Sequence, residues 1–393
     1  MKNIIIIGSR GYRFNYGGWE TFVTEFVDNN HDNNNFFIPR LVQEKELDKK
    51  IETINNIEIN NIYVPKQGFA TMFTFTIKSF NYFLKYIKEK KIKDCIIISL
   101  GCKIGPLMPY YYKKLHKMGV KIIMNPDGLE WKRDKWNWLI KQCFKISEKY
   151  SIKYCDSVVC DSKAIKEYID EKYKKYNKPS KFIAYGSYLD NKKVSEKTKQ
   201  YIKEKYRTKP NDYYLVVARF VPENNLELII NEFIKSKTKK KLIILSNVEK
   251  NKYYNYLIEK TGFNNDERIY LPGPIYNQEL LREIRLGAFA YIHGHSAGGT
   301  NPSLLEALST TNINILYDVV YNKEVGKNAA LYFSKKENSL TKIINNLEKI
   351  TTKDINKYGK LAKERIEKNY TWAIVEEKYK KLFEELGGPH EET

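Results

Sequence analysis

The stretch best equipped for chemistry is residues 286–309, LGAFAYIHGHSAGGTNPSLLEALS. Ala288 to Ile292 is an apolar run suited to a buried strand, and His293 to Gly299 is a loop whose glycines let backbone approach a ligand closely. Thr300 or Asn301 can cap a following helix, Pro302 falls where a first-turn proline is tolerated, and Leu304, Leu305 and Leu308 give that helix an apolar face. Free N–H groups at such a helix start attract anions, phosphate above all. Glu306 lies one turn inside, where a carboxylate can accept hydrogen bonds from sugar or ribose hydroxyls. The plain alternative is an ordinary α/β turn with Glu306 on a solvated face.

Two further places carry suitable residue types. Asn125-Pro126-Asp127-Gly128-Leu129-Glu130-Trp131 follows an apolar run, which sets Asp127 and Glu130 at the carboxyl edge of a sheet, where open α/β folds bind ligands. A turn aspartate capping Gly128 is the plainer reading. Arg219 ends the run YYLVVAR, and its planar fork of donors suits a diphosphate, against the alternative of a surface ion pair. The chain contains no DxD triplet, so it offers no obvious ligand set for a metal-chelated diphosphate, and no metal or other cofactor is expected.

The elements that must hold these residues follow from periodicity. Ile4–Ile7, then GSRGYRFNYGGWETFV, reads as a buried strand, a glycine-rich loop and a helix from about Gly18 to Val27. The spacing is not GxGxxG, which argues against a dinucleotide enzyme. Strand-like runs recur at 35–42, 57–64, 95–100, 121–125, 157–160, 213–220, 241–246 and 269–273, and Ile183 to Tyr188 closes the first half. Helical stretches lie between several of them, an alternation that predicts parallel sheets covered by helices. The predicted organisation is an N-terminal domain over 1–190, a lysine-rich helix and linker over 191–211, and a second domain over 212–365. Residues 366–386 form an amphipathic helix, and GGPHEET at 387–393 is a flexible tail or cloning scar.

Sixty-eight Lys plus Arg against 47 Asp plus Glu give a formal charge of +21, which favours polyanionic partners: nucleic acid, an acidic membrane or a nucleotide ligand. Nothing in the chain resembles a known nucleic-acid module. Five scattered cysteines without CxxC spacing imply neither a disulfide framework nor a zinc site, and a reducing cytoplasm fits them. No apolar run reaches the length of a signal peptide or a spanning helix, so a soluble or peripheral protein is expected. Phe69, Phe73, Phe75, Phe80, Tyr82, Phe83 and Tyr86 are interleaved with Lys78 and Lys85, and residues 78–121 hold eleven Lys against one Glu and one Asp. Such a helix can lie in a membrane interface; a core helix with a solvated lysine face is the equal alternative.

Three sequences in order, GGWE, NPDGLEW and GGTNPSLLEA, resemble the GT-B glycosyltransferases of family 4, in particular the branch of rhamnosyltransferases that build bacterial capsule and cell-wall polysaccharide. The resemblance spans nearly the whole chain. It implies an α/β GT-B architecture: two Rossmann-like doubly wound domains facing a central cleft, with the last helix returning to the first domain. It implies a metal-independent retaining transferase with a nucleotide-sugar donor, dTDP-rhamnose favoured, and a lipid-linked saccharide acceptor at the inner face of the membrane. In that frame Gly17, Gly18, Arg219, Gly298, Gly299, Thr300 and Asn301 meet the donor diphosphate and sugar, and Ile275, Tyr276 and Glu306 the nucleoside. Asp127 and Glu130 meet the acceptor, and Asp127, His293, His295 and Glu306 form the catalytic set. The chain departs from the family pattern twice. The first of its two glutamates, which has seven residues between it and the second, is here Gly298, which leaves His293 or His295 to contact the sugar. Its diphosphate lysine is Asn224, which leaves another cation or a helix N-terminus beside Arg219. A catalytically dead sugar-nucleotide or polysaccharide-binding module is the rival that these departures raise.

Overall fold

The computed structural model describes residues 1–14, 17–44, 50–132, 136–189, 192–248 and 252–387, without the side chain of Phe69. Arg133 of the NPDGLEWKR run, the first linker residue Asn191 and the tail 388–393 lie outside the described residues. The chain divides into two compact units, Met1–Gly186 with the last helix from Trp372, and Ser187–Thr371.

The first unit is built on eight strands: β1 Lys2–Ile7, β2 Asn34–Val42, β3 Ile51–Ile54, β4 Ile57–Tyr63, β5 Cys95–Leu100, β6 Lys121–Asn125, β7 Ser157–Cys160 and β8 Ser180–Phe182. Their order is β3-β4-β2-β1-β5-β6-β7-β8, and only the β3–β4 pair is antiparallel. Parallel strands covered on both faces are apolar throughout; Ile4 to Ile7 are fully buried, with Ile4 registered between Phe36 and Ile96. Five helices cross over between strands: α1 Gly18–Asn30, α2 Thr71–Lys90, α3 Met108–His116, α4 Trp138–Lys153 and α5 Lys163–Lys172.

The second unit opens with α6 Glu196–Tyr206 and carries an all-parallel sheet of β9 Tyr213–Val217, β10 Lys241–Leu245, β11 Ile269–Tyr270, β12 Ala290–His293, β13 Asn314–Tyr317 and β14 Leu331–Phe333. Its order, β11-β10-β9-β12-β13-β14, reverses direction between β9 and β12, which makes that pair a topological switch point. The helices are α7 Leu226–Ile234, α8 Lys252–Thr261, α9 Gln278–Leu286, α10 Pro302–Thr310, α11 Val320–Gly326, α12 Ser339–Leu347 and α13 Thr352–Asn369. After α13 the last helix, α14 Trp372–Gly387, packs in the first unit, so residues 366–371 stay with the second. Phe22 and Phe26 of α1 meet Tyr379 of α14, the closer pair with ring centroids 4.6 Å apart, and Trp372 leaves no room for a side chain at Gly186. Each such buried ring contributes about 2–3 kcal/mol of apolar burial.

The membrane-interface reading of residues 69–86 is corrected here. Phe75, Phe80 and Phe83 are buried in the core, and Tyr82 and Tyr86 are tied to Asn60 and Glu58 of β4 by hydrogen bonds of 2.6 and 2.7 Å. Phe73 meets Phe144 of α4, and Lys78, Lys85 and Lys88 are exposed. The strand-like run 183–188 is likewise displaced: β8 stops at Phe182, and Ile183, Ala184 and Tyr185 are buried beyond it.

Candidate functional site

In the second unit, the carboxyl ends of β9 and β12 lie side by side, because Ala290 and Tyr291 pair with Tyr214 and Leu215. Arg219 follows β9, with an exposed guanidinium that makes no ion pair among the described residues. Five residues on, Asn224 is buried. Its amide Nδ2–H donates to the Arg219 carbonyl at 2.7 Å, and its Oδ1 lies 2.9 Å from Nδ1 of His295. That pattern assigns the amide oxygen to His295, so Nδ1 of the imidazole carries hydrogen and Nε2 is the acceptor in the neutral ring. Asn224 thus anchors a histidine. His295 is held again through its carbonyl, which accepts from Asn322 at 2.9 Å.

The departure at Gly298 has a matching cause. Its φ is +117°, a conformation that glycine adopts freely and other residues rarely, and a Cβ there would lie 3.1 Å from Nε2 of His295. Gly294 is needed for close approach, since a Cβ would fall 2.1 Å from the Asn224 carbonyl. His293 is the last residue of β12. It is buried, its Nε2 has no hydrogen-bond partner, and burial together with the neighbouring His295 pushes its pKa well below the usual histidine range, so the ring is neutral.

Helix α10 begins where the loop ends, and Asn301 caps it by accepting the Ser303 amide at 2.9 Å. Glu306, one turn in, keeps 31% of its side chain exposed and pairs at 2.6 Å with the guanidinium of Arg285, whose side chain is only 3% exposed. Arg285 also donates to Ser303 Oγ at 3.2 Å, and Ser303 bonds the Tyr291 hydroxyl at 3.0 Å. The remaining Nε–H of Arg285 is buried without a partner, so Glu306 is its principal compensation. Ile275 packs on the cluster of Ile243, Leu245, Tyr291 and Ala307 beside this network, and Tyr276 is exposed.

The first unit gathers a second set. Gly17, with φ +104°, precedes α1, and buried Glu20 accepts the Arg10 amide at 2.9 Å; burial pushes the pKa of Glu20 up. Asp127 sits in the turn after β6 at φ +59°, its own amide donating to Asn125 Oδ1 at 2.9 Å. The residue that sequence reasoning missed is Lys103. Its ammonium donates to the carbonyls of Gly8 and Leu100 at 3.0 Å each and lies 4.0 Å from the Trp19 ring centroid. Burial lowers its pKa to about 8, against the opposing pull of Asp127, Glu20 and Glu130. Lys103 is one of the eleven lysines counted between 78 and 121, and nothing local marks it apart. Glu130 accepts Trp136 Nε1 at 3.0 Å, and buried Glu148 of α4 accepts Trp131, Tyr168 and Tyr173, which fixes the NPDGLEW turn on α4.

Residues 1–188 match the family model described as "Domain of unknown function (DUF1972)". The uncharacterized glycosyltransferase MJ1069 of Methanocaldococcus jannaschii is 26% identical over 98% of this chain and 100% of its own length. Among solved structures, sucrose-phosphate synthase of Thermosynechococcus elongatus is similar with a TM-score of 0.78 at 13% identity, over 98% of this chain and 99% of that one. HepE of Anabaena, in complex with UDP and glucose, has a TM-score of 0.71 at 11% identity, over 98% of this chain and 100% of that one. In fold the chain is therefore of the GT-B glycosyltransferase type, with two parallel-sheet Rossmann-like units.

Proposed function

We propose that the chain is a retaining glycosyltransferase that moves a sugar, L-rhamnose from dTDP-rhamnose in the first instance, onto a lipid-linked saccharide at the cytoplasmic face of an acidic membrane. The observation that carries this reading is the switch-point loop of the second unit. An exposed arginine with no ion pair among the described residues, an amide-anchored histidine, a glycine at positive φ and an asparagine-capped helix start lie there with a carboxylate one turn in. Arg219, the loop amides of Gly298 to Asn301 and the start of α10 would meet the charge that grows on a leaving diphosphate, which is where electrostatic stabilisation counts most. His295 presents Nε2 at Gly298 and would accept a sugar hydroxyl, with neutral His293 beneath it. Glu306 would hold the ribose and Ile275 and Tyr276 the base. In this reading no metal takes part, and the diphosphate oxygen takes the acceptor proton.

The first unit would serve the acceptor. Asp127 and Glu130 would orient its hydroxyl, and Gly17 and Gly18 would offer backbone to phosphate. Lys103 balances the carboxylates there, with a proton that it releases near pH 8.

The test is a thermal-shift panel with dTDP, UDP, GDP and ADP and their sugar conjugates, run with EDTA and with magnesium. Stabilisation by dTDP and dTDP-rhamnose in both buffers is the expected result. Selective response to UDP conjugates would replace the donor, and no response from folded protein would leave a non-catalytic module.

A further inference from the structure

Helix α4 is amphipathic in the wrong sense for its surroundings. Its buried residues are Ser147, Glu148, Ser151 and Ile152, whereas Trp138, Leu139 and Ile146 are 69%, 65% and 50% exposed. At about 100° per residue, Trp138, Leu139, Gln142, Ile146, Lys149 and Lys153 share a sector of roughly a quarter of the helix circumference, turned away from the buried side. The turn Gly105–Leu107 seats on α4, with the Gly105 amide donating to Ser147 Oγ at 2.8 Å, and Leu107 and Tyr110 are exposed beside it in the chain. The charges there have one sign. Residues 107–121 and 138–153 carry Lys113, Lys114, Lys117, Lys121, Lys141, Lys145, Lys149 and Lys153, and their only acidic residue, Glu148, points inward to Trp131, Tyr168 and Tyr173.

We propose that this α3–α4 edge is a membrane-docking surface for an acidic bilayer, with Trp138, Leu139 and Ile146 in the headgroup–acyl boundary and the lysines on the phosphates. Large apolar side chains interspersed with Lys141, Lys145, Lys149 and Lys153 of the same helix match that boundary in both polarity and charge. A soluble protein partner would have to supply acidic residues around an apolar centre; an anionic bilayer supplies both over any area. The edge also adjoins the candidate acceptor turn, since Trp131 bonds Glu148 on the inner side of the same helix, so docking would bring a lipid-linked acceptor to Asp127. The inference deepens the peripheral-membrane part of the reading above, and moves the contact from α2, whose rings are in the core, to α4.

The experiment is co-sedimentation of the full chain with phosphatidylcholine vesicles, with and without phosphatidylglycerol. Binding is expected only to the anionic vesicles. It should fall about tenfold or more in Trp138→Gln/Leu139→Gln/Ile146→Gln and about tenfold in Lys149→Gln/Lys153→Gln, with thermal transitions unchanged. In the wild-type chain, brominated lipid should quench a part of the tryptophan emission that Trp138→Phe removes. Absence of binding at low salt, or undiminished binding by the triple variant, overturns the proposal. So does a self-associating wild type whose triple variant is monomeric, which would assign the edge to a second copy of the chain. Vesicle binding needs neither donor nor acceptor, so a chain that binds vesicles but no nucleotide fails the transferase reading alone.

Discussion

Glu306 can be a ligand-binding carboxylate, the counter-ion of Arg285, or both, and a double-mutant cycle separates these roles. In Glu306→Gln the buried guanidinium loses its 2.6 Å partner and keeps only the Ser303 hydroxyl, with Nε–H already unpartnered. Removing one member of a fully buried pair costs about 3–5 kcal/mol. The partial exposure of Glu306 lets solvent screen the charge, which lowers the expected loss to about 2–3 kcal/mol, or roughly 5–10 °C in Tm for a unit of this size. Arg285→Met removes the buried charge itself, so the double variant should recover most of that loss, with a coupling of about 2 kcal/mol. Nucleotide affinity should behave differently. If Glu306 accepts the ribose hydroxyls, Glu306→Gln weakens dTDP by about 10–100-fold, and the double variant does not recover it. Calorimetric titration with dTDP and thermal unfolding of all four proteins give both readouts. Recovery of nucleotide affinity to within about twofold of wild type in the double variant would refute a ribose contact and leave Glu306 as the counter-ion alone.

Placing the glutamate of the pattern it resembles should harm this chain: Gly298→Glu forces φ +117° on a residue with a Cβ and puts that Cβ against His295, at a cost of about 1–3 kcal/mol and a loss of nucleotide binding, measured by unfolding and titration. The lowered pKa of Lys103 gives a stability signature above neutrality. The folded group releases its proton near pH 8 and the unfolded one near 10.5, so between these values the unfolded chain binds more protons and stability rises with pH. Denaturant titrations at pH 7.5, 9 and 10 should show that rise in wild type and lose it in Lys103→Met; an identical slope in both would place the titration elsewhere.

The strands were legible because central parallel strands are buried on both faces and therefore read as unbroken apolar runs; β5, β6 and β7 fall at the expected residues. The glycine loop, Asn301 and α10 were legible for a related reason, since turn and cap chemistry is local. Helix α2 shows where that reasoning stops. Alternating rings and lysines describe a membrane face and a core helix equally well, and only the sheet beneath α2 decides between them. Helix α4 shows the converse, because its inward side is polar and paired while Trp138, Leu139 and Ile146 are exposed.

What the sequence by itself determined is therefore most of the central strands, the two-sheet α/β class and the local loops that end those strands, all properties of neighbours along the chain; β3, β13 and β14 were not among them. What only the tertiary structure decided is which distant side chains meet. Asn224 reaches His295 because β12 lies beside β9 although 72 residues lie between Val217 and Ala290, and Arg285 reaches Glu306 because α9 and α10 flank one strand. Lys103 reaches Gly8 because β1 lies beside β5. Strand order in a parallel sheet is set by how crossover helices bury their apolar faces over the whole unit, and no short spacing in the chain encodes it.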